Sequence, residues 1–424
     1  MSTRLYNTLT RRLDPLPEPP GPVRMYFCGP TVNARAHIGN ARPFIVGMWL
    51  RNWLRERGYD ATLVHNITDI NDKIYEAAPG ASAELAEQVT AWYLEDTAGF
   101  GLGMPDHQPK ASEMVPQIVR FIEQLIEREY AYAVEGDVYF RVAKDPAYGR
   151  LSGQRPDQVE EQEPNPLKED PRDFALWKAN KAGEDTSWDS PWGKGRPGWH
   201  IECSVMAEEL LGPVFEIHGG GLDLVFPHHE NELAQSSALG HEFARIWTHN
   251  GMLRFTDEKM SKSLGNVVTI DQAQEQWGPE TLLMMFLGAH WRKPMDFSEE
   301  TLQQAAARAD GFREVFRNPS EPAAEAEWDR LVAALDDDFN TPEALAIMHG
   351  WRDHELLRRG LGLFGLGELA ETSDAPEAVS ELAKRRQQAR VERDFGEADR
   401  LRAEIESAGW IVRDIDDGFR LVPK

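Results

Sequence analysis

The chain has 424 residues, 41% hydrophobic and 28% charged, and its 46 Lys and Arg against 71 Asp and Glu leave a formal net charge of −25. That composition is globular, neither disordered nor fibrous, and the length calls for roughly two to four domains. Only two cysteines occur, Cys28 and Cys203, which excludes a disulfide scaffold, and the acidic balance argues against simple electrostatic attraction to nucleic acid. No apolar run approaches the roughly 20 residues of a membrane helix. The opening stretch MSTRLYNTLTRRLDPLPEPPGP has no apolar segment of signal type, so a cytoplasmic location is expected.

Residues 24–32 (RMYFCGPTV) read as a short buried strand ended by Gly29-Pro30. After NARAHIGNARP a helix is expected to about Gly58, with Ile45, Met48, Trp49 and Trp53 on one face. Residues 61–68 (ATLVHNIT) read as a second strand. Strand, glycine-containing turn, helix and strand begin a parallel α/β unit, which binds ligands beyond the carboxyl ends of its strands. Residues 80–130 are mostly helical, with Ile118, Phe121, Ile122 and Leu125 on one face, and 130–142 form a hairpin about a Glu-Gly-Asp turn. Residues 143–198 are polar, rich in Pro, Gly and Trp, and weakly periodic; they read as an irregular insertion between two halves of a nucleotide fold. Strand signals return at 214–218 and 246–252. From about Gln272 the chain reads as nearly all helical, and Thr341-Pro342-Glu343 starts one helix with a threonine cap. A loop near Glu371–Ala375 precedes a last segment in which residues 384–402 carry seven basic and four acidic side chains. Those charges read equally as a solvated helix face laced with ion pairs.

Three groups of residues carry chemistry. His37-Ile38-Gly39-Asn40 follows the first strand, where a glycine lets a nucleotide approach the backbone and a helix N-terminus favours phosphate. By itself it is also an ordinary turn with a capping histidine. Lys259-Met260-Ser261-Lys262-Ser263 offers two lysines in a serine-bearing loop, suited to a polyphosphate whose charge grows during attack on the α-phosphate. Cys28, Cys203 in GRPGWHIECS, and His228 and Glu232 in FPHHENE supply two sulfurs, an imidazole and a carboxylate. His228 and Glu232 lie four apart and share a helix face. That is a zinc donor set gathered from three segments. The spacing describes two buried, inert cysteines equally well, and His229 could stand in for His228.

The paired HIGN and KMSKS strings resemble the signatures of class I aminoacyl-tRNA synthetases. MYFCGPTV, NITDINDK, GRPGWHIECS, IHGGGLDL, FPHHENE and EKMSKSLGN together resemble the cysteinyl-tRNA synthetases, from Leu5-Tyr6-Asn7-Thr8-Leu9-Thr10 to ARVERDFGEADRLRAEI. The resemblance implies an α/β fold: a class I synthetase Rossmann-like parallel sheet with an insertion, followed by an all-helical C-terminal region. It implies five regions. Residues 1–110 form the first half of the nucleotide-binding domain, 111–198 the connective insertion, and 199–270 the second half with the KMSKS loop. Residues 271–370 form a stem-contact helical bundle, and 371–424 an anticodon-binding-like segment.

The implied zinc ligands are Cys28, Cys203, His228 and Glu232, with one Zn2+ per chain. His37, Asn40, Lys259 and Lys262 would serve catalysis. Gly39, His218, Gly220, Asp223 and Lys262 would hold ATP with its Mg2+, while Gly29, Thr68 and Trp199 would border the substrate L-cysteine. The partners implied are tRNA(Cys), ATP and cysteine, with no membrane; the reading is compatible with a monomer. A thiol and a hydroxyl differ too little for a pocket to separate them by shape, whereas zinc binds the sulfur selectively. Trp410 in the basic end could stack on a base or pack in a core.

Two other readings are carried. A paralogue of the family activates cysteine and forms an amide with glucosaminyl-inositol, as in mycothiol synthesis; it would not need the basic C-terminal end. A non-enzymatic relative would not need an intact KMSKS string. Asn40 in place of a histidine, Asn33-Ala34-Arg35 in place of an aromatic-acidic pair, Asn71 in place of an aspartate and a short helical region between Thr341 and Ala375 depart from the family pattern.

Overall fold

The computed structural model describes every residue except Met1, 156–162, 256–267, 325, 372–374, 416–417 and Lys424. It divides into two units, Met1–Leu369 and Ala370–Lys424.

The first unit opens with a hairpin of β1 (Arg4–Asn7) and β2 (Arg12–Pro15). Its central sheet has the order β10-β9-β3-β4, all parallel. Here β3 is Pro22–Phe27, β4 Asp60–His65, β9 Val214–Gly221 and β10 Phe243–Asn250. Val23, Met25, Tyr26 and Phe27 of β3 are all buried. A central parallel strand is covered on both faces, so it reads as a continuous apolar run rather than an alternation. Helix α1 (Ile38–Glu56) links β3 to β4 and buries Ile45, Met48, Trp49 and Trp53, the expected stripe. After β4 come α2 (Asp72–Ala77), α3 (Ser82–Ala98) and α4 (Val115–Glu127), the last burying Ile118, Phe121, Ile122 and Leu125.

The stretch 143–198 is mostly irregular among its described residues, but it supplies two strands that the sequence reading did not expect. The hairpin β5 (Ala131–Val134) and β6 (Asp137–Phe140) is extended by β7 (Phe174–Ala179) and β8 (Gly195–Pro197) into a four-stranded antiparallel sheet. β7 is buried over its first four residues and so shows no alternation, while β8, with three residues, is too short to show a period of two. A Cβ on Gly195 would lie 2.3 Å from the Lys178 carbonyl, so this glycine is needed for close strand pairing. Helices α5 (Trp199–Leu211) and α6 (Glu230–Ala238) flank β9, and α5 packs in one buried cluster with Tyr26, Phe215 and Trp247. Helices Ile270–Trp277 and Pro279–Leu287 lie in sequence between the strands of a short parallel pair, β11 (Leu253–Phe255) with β12 (Met295–Phe297), and helices Glu299–Phe316, Ala326–Asp336, Thr341–His349 and His354–Gly362 follow it.

The cap of Thr341–His349 is Asn340, not Thr341: the Asn340 carboxamide oxygen accepts from the Glu343 N–H at 3.3 Å, and Thr341 is the first helical residue. The bundle is tied to α1 through Trp49 Nε1, which donates to the Phe364 carbonyl at 2.9 Å.

The second unit pairs helices Glu377–Val391 and Phe395–Ser407 and ends in a hairpin, β13 (Trp410–Ile415) with β14 (Gly418–Pro423), that the helical reading did not anticipate. Val379, Ala383, Ile405 and Val412 form its small core, and Trp410 packs against them, which is the core reading of that side chain. Among the described residues no helix is long and apolar enough to cross a membrane.

Candidate metal centre and nucleotide cleft

Cys28 is the first residue beyond β3, held by its N–H to the Gly219 carbonyl at 3.0 Å. Cys203 lies in α5, His228 in the turn before α6, and Glu232 in the first turn of α6. These four, all buried, place one donor atom each within 4.8 Å of all the others. The sulfurs are 3.9 Å apart, and His228 Nε2 lies 3.0 Å from Glu232 Oε1. A second set, Cys28, His218, His229 and Glu232, meets the same criterion.

Burial pushes the Glu232 carboxyl well up, and burial together with the neighbouring Cys203 does the same to the Cys28 thiol. Two acids sealed from water next to each other need a cation to ionise. Burial pushes His228 and His229 well below the usual imidazole range, so both are neutral and fit to ligate or to hydrogen bond. The donor set therefore fits a zinc ion. The groups around it already have outer partners. His218 Nε2 donates to Glu232 Oε2 at 2.8 Å, and His228 Nδ1 meets His200 Nδ1 at 2.9 Å. Such partners orient metal ligands.

Beside this cluster, beyond the strands' carboxyl ends, is a cleft of about 470 Å³ that Cys28, Gly29, His37, Gly39, Asn40 and Asp223 help to line. His37 caps α1, and the Asn40 carboxamide oxygen accepts from the His37 N–H at 3.2 Å. A Cβ on Gly39 would come within 2.9 Å of the His37 ring, so glycine lets the imidazole fold over the backbone. Desolvation lowers the His37 pKa, with Asp223 opposing it. Trp199 stacks on His228, with ring centroids 4.3 Å apart, and lines both this cleft and a second cavity of about 360 Å³. Two cations of that second cavity are already engaged: Lys178 meets Asp72 at 2.7 Å, and Arg196 pairs with Asp72 and with Glu184.

Three expected residues stand behind the cleft wall rather than on it. His218 is fully buried on Glu232. Gly220 makes room for neighbours, since a Cβ there would lie 2.9 Å from Leu224 and 3.0 Å from His229. Thr68 accepts from Asn66 Nδ2 at 3.2 Å, and Asn66 Oδ1 in turn accepts from the Gly29 N–H at 2.8 Å. Thr68 thus shapes the strand end through Asn66, a residue the sequence reading did not single out.

Lys259 and Lys262 lie outside the described residues. Their described neighbours are fastened to the His37 turn: the Ile38 N–H donates to the Val268 carbonyl at 2.9 Å and the Ile270 N–H to the Ala36 carbonyl at 3.0 Å. The departures from the family pattern have local uses. Asn71 caps α2, accepting from the Lys73 N–H at 3.1 Å. Arg35 clamps Asp96 at 2.6 Å and Asp271 at 2.9 Å.

A parallel sheet with a cleft and a helix N-terminus at its carboxyl edge, the His-x-Gly turn against it, is the catalytic architecture of class I aminoacyl-tRNA synthetases. The fold is similar to that of methionyl-tRNA synthetase from Mycobacterium tuberculosis bound to methionyl-adenylate, with a TM-score of 0.58 at 13% identity over 82% of this chain and 88% of that one. The model of the tRNA synthetases class I (C) catalytic domain matches residues 17–307, the DALR domain 330–352, and the cysteinyl-tRNA ligase anticodon binding domain 372–420. Cysteine–tRNA ligase of Pseudothermotoga lettingae is 42% identical over 98% of this chain and 98% of its own length. That of Alkalilimnicola ehrlichii is 43% identical over the same shares. The chain belongs to the cysteine–tRNA ligase family.

Proposed function

We propose that the protein is a cysteine–tRNA ligase that activates L-cysteine with ATP and transfers it to tRNA(Cys). The observation that carries this reading is the meeting of two sulfurs, an imidazole and a carboxylate within 4.8 Å of one another beside the cleft. In the first step the cysteine carboxylate attacks the α-phosphate of ATP, forming cysteinyl-adenylate and releasing pyrophosphate. In the second a terminal ribose hydroxyl of tRNA attacks the mixed anhydride and AMP leaves.

No side chain is needed as a nucleophile; catalysis is positioning and charge stabilisation. The N-terminus of α1 and His37 face the phosphates, with Gly39 allowing close approach. Asp223 accepts from ribose hydroxyls, and Gly29 and Trp199 border the amino acid. Lys259 and Lys262 take the charge of the departing pyrophosphate, with Mg2+ on ATP. Zinc held by Cys28, Cys203, His228 and Glu232 supplies sulfur selectivity, separating cysteine from serine without a second, editing site.

The test is a charging assay with labelled cysteine that offers tRNA(Cys) and glucosaminyl-inositol in parallel, with serine as competitor. Product on tRNA alone is expected. Amide on the sugar would reassign the protein to the mycothiol type, and no product on either would make it a non-enzymatic relative. Serine competing on equal terms would remove zinc from the specificity argument. Lys262→Ala is expected to slow pyrophosphate exchange by about 100-fold or more and to leave bound metal unchanged; near-normal exchange would remove Lys262 from the mechanism.

A further inference from the structure

A line of hydrogen bonds runs from the N-terminal hairpin to the metal cluster. Thr8 Oγ1 meets His249 Nδ1 at 2.7 Å, His249 Nε2 meets His229 Nδ1 at 2.8 Å, and His229 Nε2 meets Cys28 Sγ at 3.3 Å. The exposures are 9%, 4%, 0% and 7% in that order, so bulk water does not compete along the line.

Each member is held by its own element. The hairpin lies along the outer edge of β10: the Thr8 N–H donates to the Trp247 carbonyl at 2.9 Å. Asn7 Oδ1 accepts from the Trp247 N–H at 3.0 Å, and Asn7 Nδ2 donates to the Arg245 carbonyl at 2.9 Å. His249 sits on β10 opposite Gly220 of β9, the glycine that leaves space for the His229 ring.

We propose that Thr8 and His249 are positioning residues that set the tautomer of His229, so that its N–H points at the Cys28 sulfur and His229 is kept out of the ligand set. This rests on the reading that Cys28, Cys203, His228 and Glu232 hold zinc.

The polarity follows from donor and acceptor counting. A neutral imidazole has one N–H and one acceptor nitrogen, so the two rings must point the same way along the line. In one direction the Thr8 O–H donates to His249 Nδ1, His249 Nε2–H donates to His229 Nδ1, and His229 Nε2–H donates to a Cys28 thiolate. In the other direction His229 turns its Nε2 lone pair to the cluster, which is the geometry of the set Cys28, His218, His229 and Glu232.

Two observations select the first direction. Among the described residues His249 is the polar partner of the Thr8 hydroxyl, so reversing the line leaves that nine-tenths-buried O–H without an acceptor, which is costly. In the first direction, moreover, His218 Nε2 is free to donate to Glu232 Oε2, and both sulfurs serve as ligands. An N–H on a metal-bound thiolate withdraws charge from the sulfur and leaves the ion more receptive to a further sulfur, the one the substrate brings.

The experiment uses the full-length zinc-loaded protein. Zinc content is measured first: protein that holds no zinc defeats the zinc reading itself. On protein that does, imidazole 15N shifts report tautomers directly. Nε2–H forms are expected at His229 and His249; Nδ1–H forms at both would overturn the relay and leave the zinc reading standing. Thr8→Val is expected to lose zinc to a competing chelator about tenfold more readily and to shift the sulfur-to-metal charge-transfer band of the cobalt-substituted protein, while Thr8→Ser restores both. A Thr8→Val protein identical to wild type in band and in zinc retention would also overturn it. If Thr8→Val fails to fold, the tautomer measurement on wild type decides alone.

Discussion

In the unit Met1–Leu369 the candidate ligands Cys28, Cys203, His228 and Glu232 are buried, and the imidazoles around them have fixed partners. In the unit Ala370–Lys424 the basic side chains Lys384, Arg385, Arg390, Arg393, Arg400 and Arg402 are exposed, over a core cluster of four buried apolar residues. Arg402 meets Glu406 at 3.0 Å and Arg385 meets Glu397 at 3.4 Å, pairs that water screens. The contrast teaches how ligand size sets the design. Under the proposed function, a thiol offers one atom, so selectivity would need donors fixed before it arrives. A polyanion offers many phosphates, so an exposed face would suffice, with ion pairs weak enough to exchange for phosphate.

The comparison breaks first at the metal centre. Cys203→Ala is expected to lose bound metal and to lower cysteine activation by more than about 100-fold, read by metal analysis and pyrophosphate exchange; retention of both would deny the interior its role. Next comes Gly29→Ala. The added Cβ would lie 1.6 Å from the Asn66 carbonyl oxygen, a backbone atom that cannot swing aside. A loss of more than about 3 kcal/mol is expected in urea unfolding.

The third probe uses acid. His65 is buried, its Nδ1–H donating to the Phe27 carbonyl at 2.9 Å and its Nε2 accepting from the Tyr93 hydroxyl at 2.7 Å. Burial lowers its pKa from 6.5 to about 4. The unfolded chain therefore binds a proton that the fold refuses, so stability is full above pH 6.5 and falls as pH drops towards 4, by up to about 3 kcal/mol from this residue. His65→Gln should show a flatter acid limb over that window; an unchanged limb would remove His65 as its source.

The smallest expected effect sharpens the contrast. Arg385→Glu with Arg390→Glu should raise the KM for tRNA by about tenfold and leave pyrophosphate exchange unchanged. An equal loss in both assays would show that the two surfaces are not separable in this way.

Much of the candidate site was readable because its residues stand in short strings of unusual composition. His37-Ile38-Gly39-Asn40 and FPHHENE keep their chemistry within a few positions, and the buried run of β3 marks a central parallel strand. The sheet completed by β7 and β8 was not readable, because β7 is buried in a run rather than in alternation and the three-residue β8 has no period and borrows its order from its neighbours. The terminal hairpin was missed for a related reason, since helical patterning in the preceding residues dominates the window. Asn66 and His65 were passed over because their work is a bond to a distant backbone or side chain, and the local string carries no trace of the partner.

By itself, the sequence determined which donor atoms the candidate metal centre has, and the strand-turn-helix order of the cleft beside them. Only the tertiary structure decided that two sulfurs 175 residues apart lie 3.9 Å from each other. It also decided that a threonine at position 8 reaches the same cluster through two histidines. The physical reason is that local order follows from side-chain periodicity along the chain, whereas the direction of a buried hydrogen bond depends on every group packed around it.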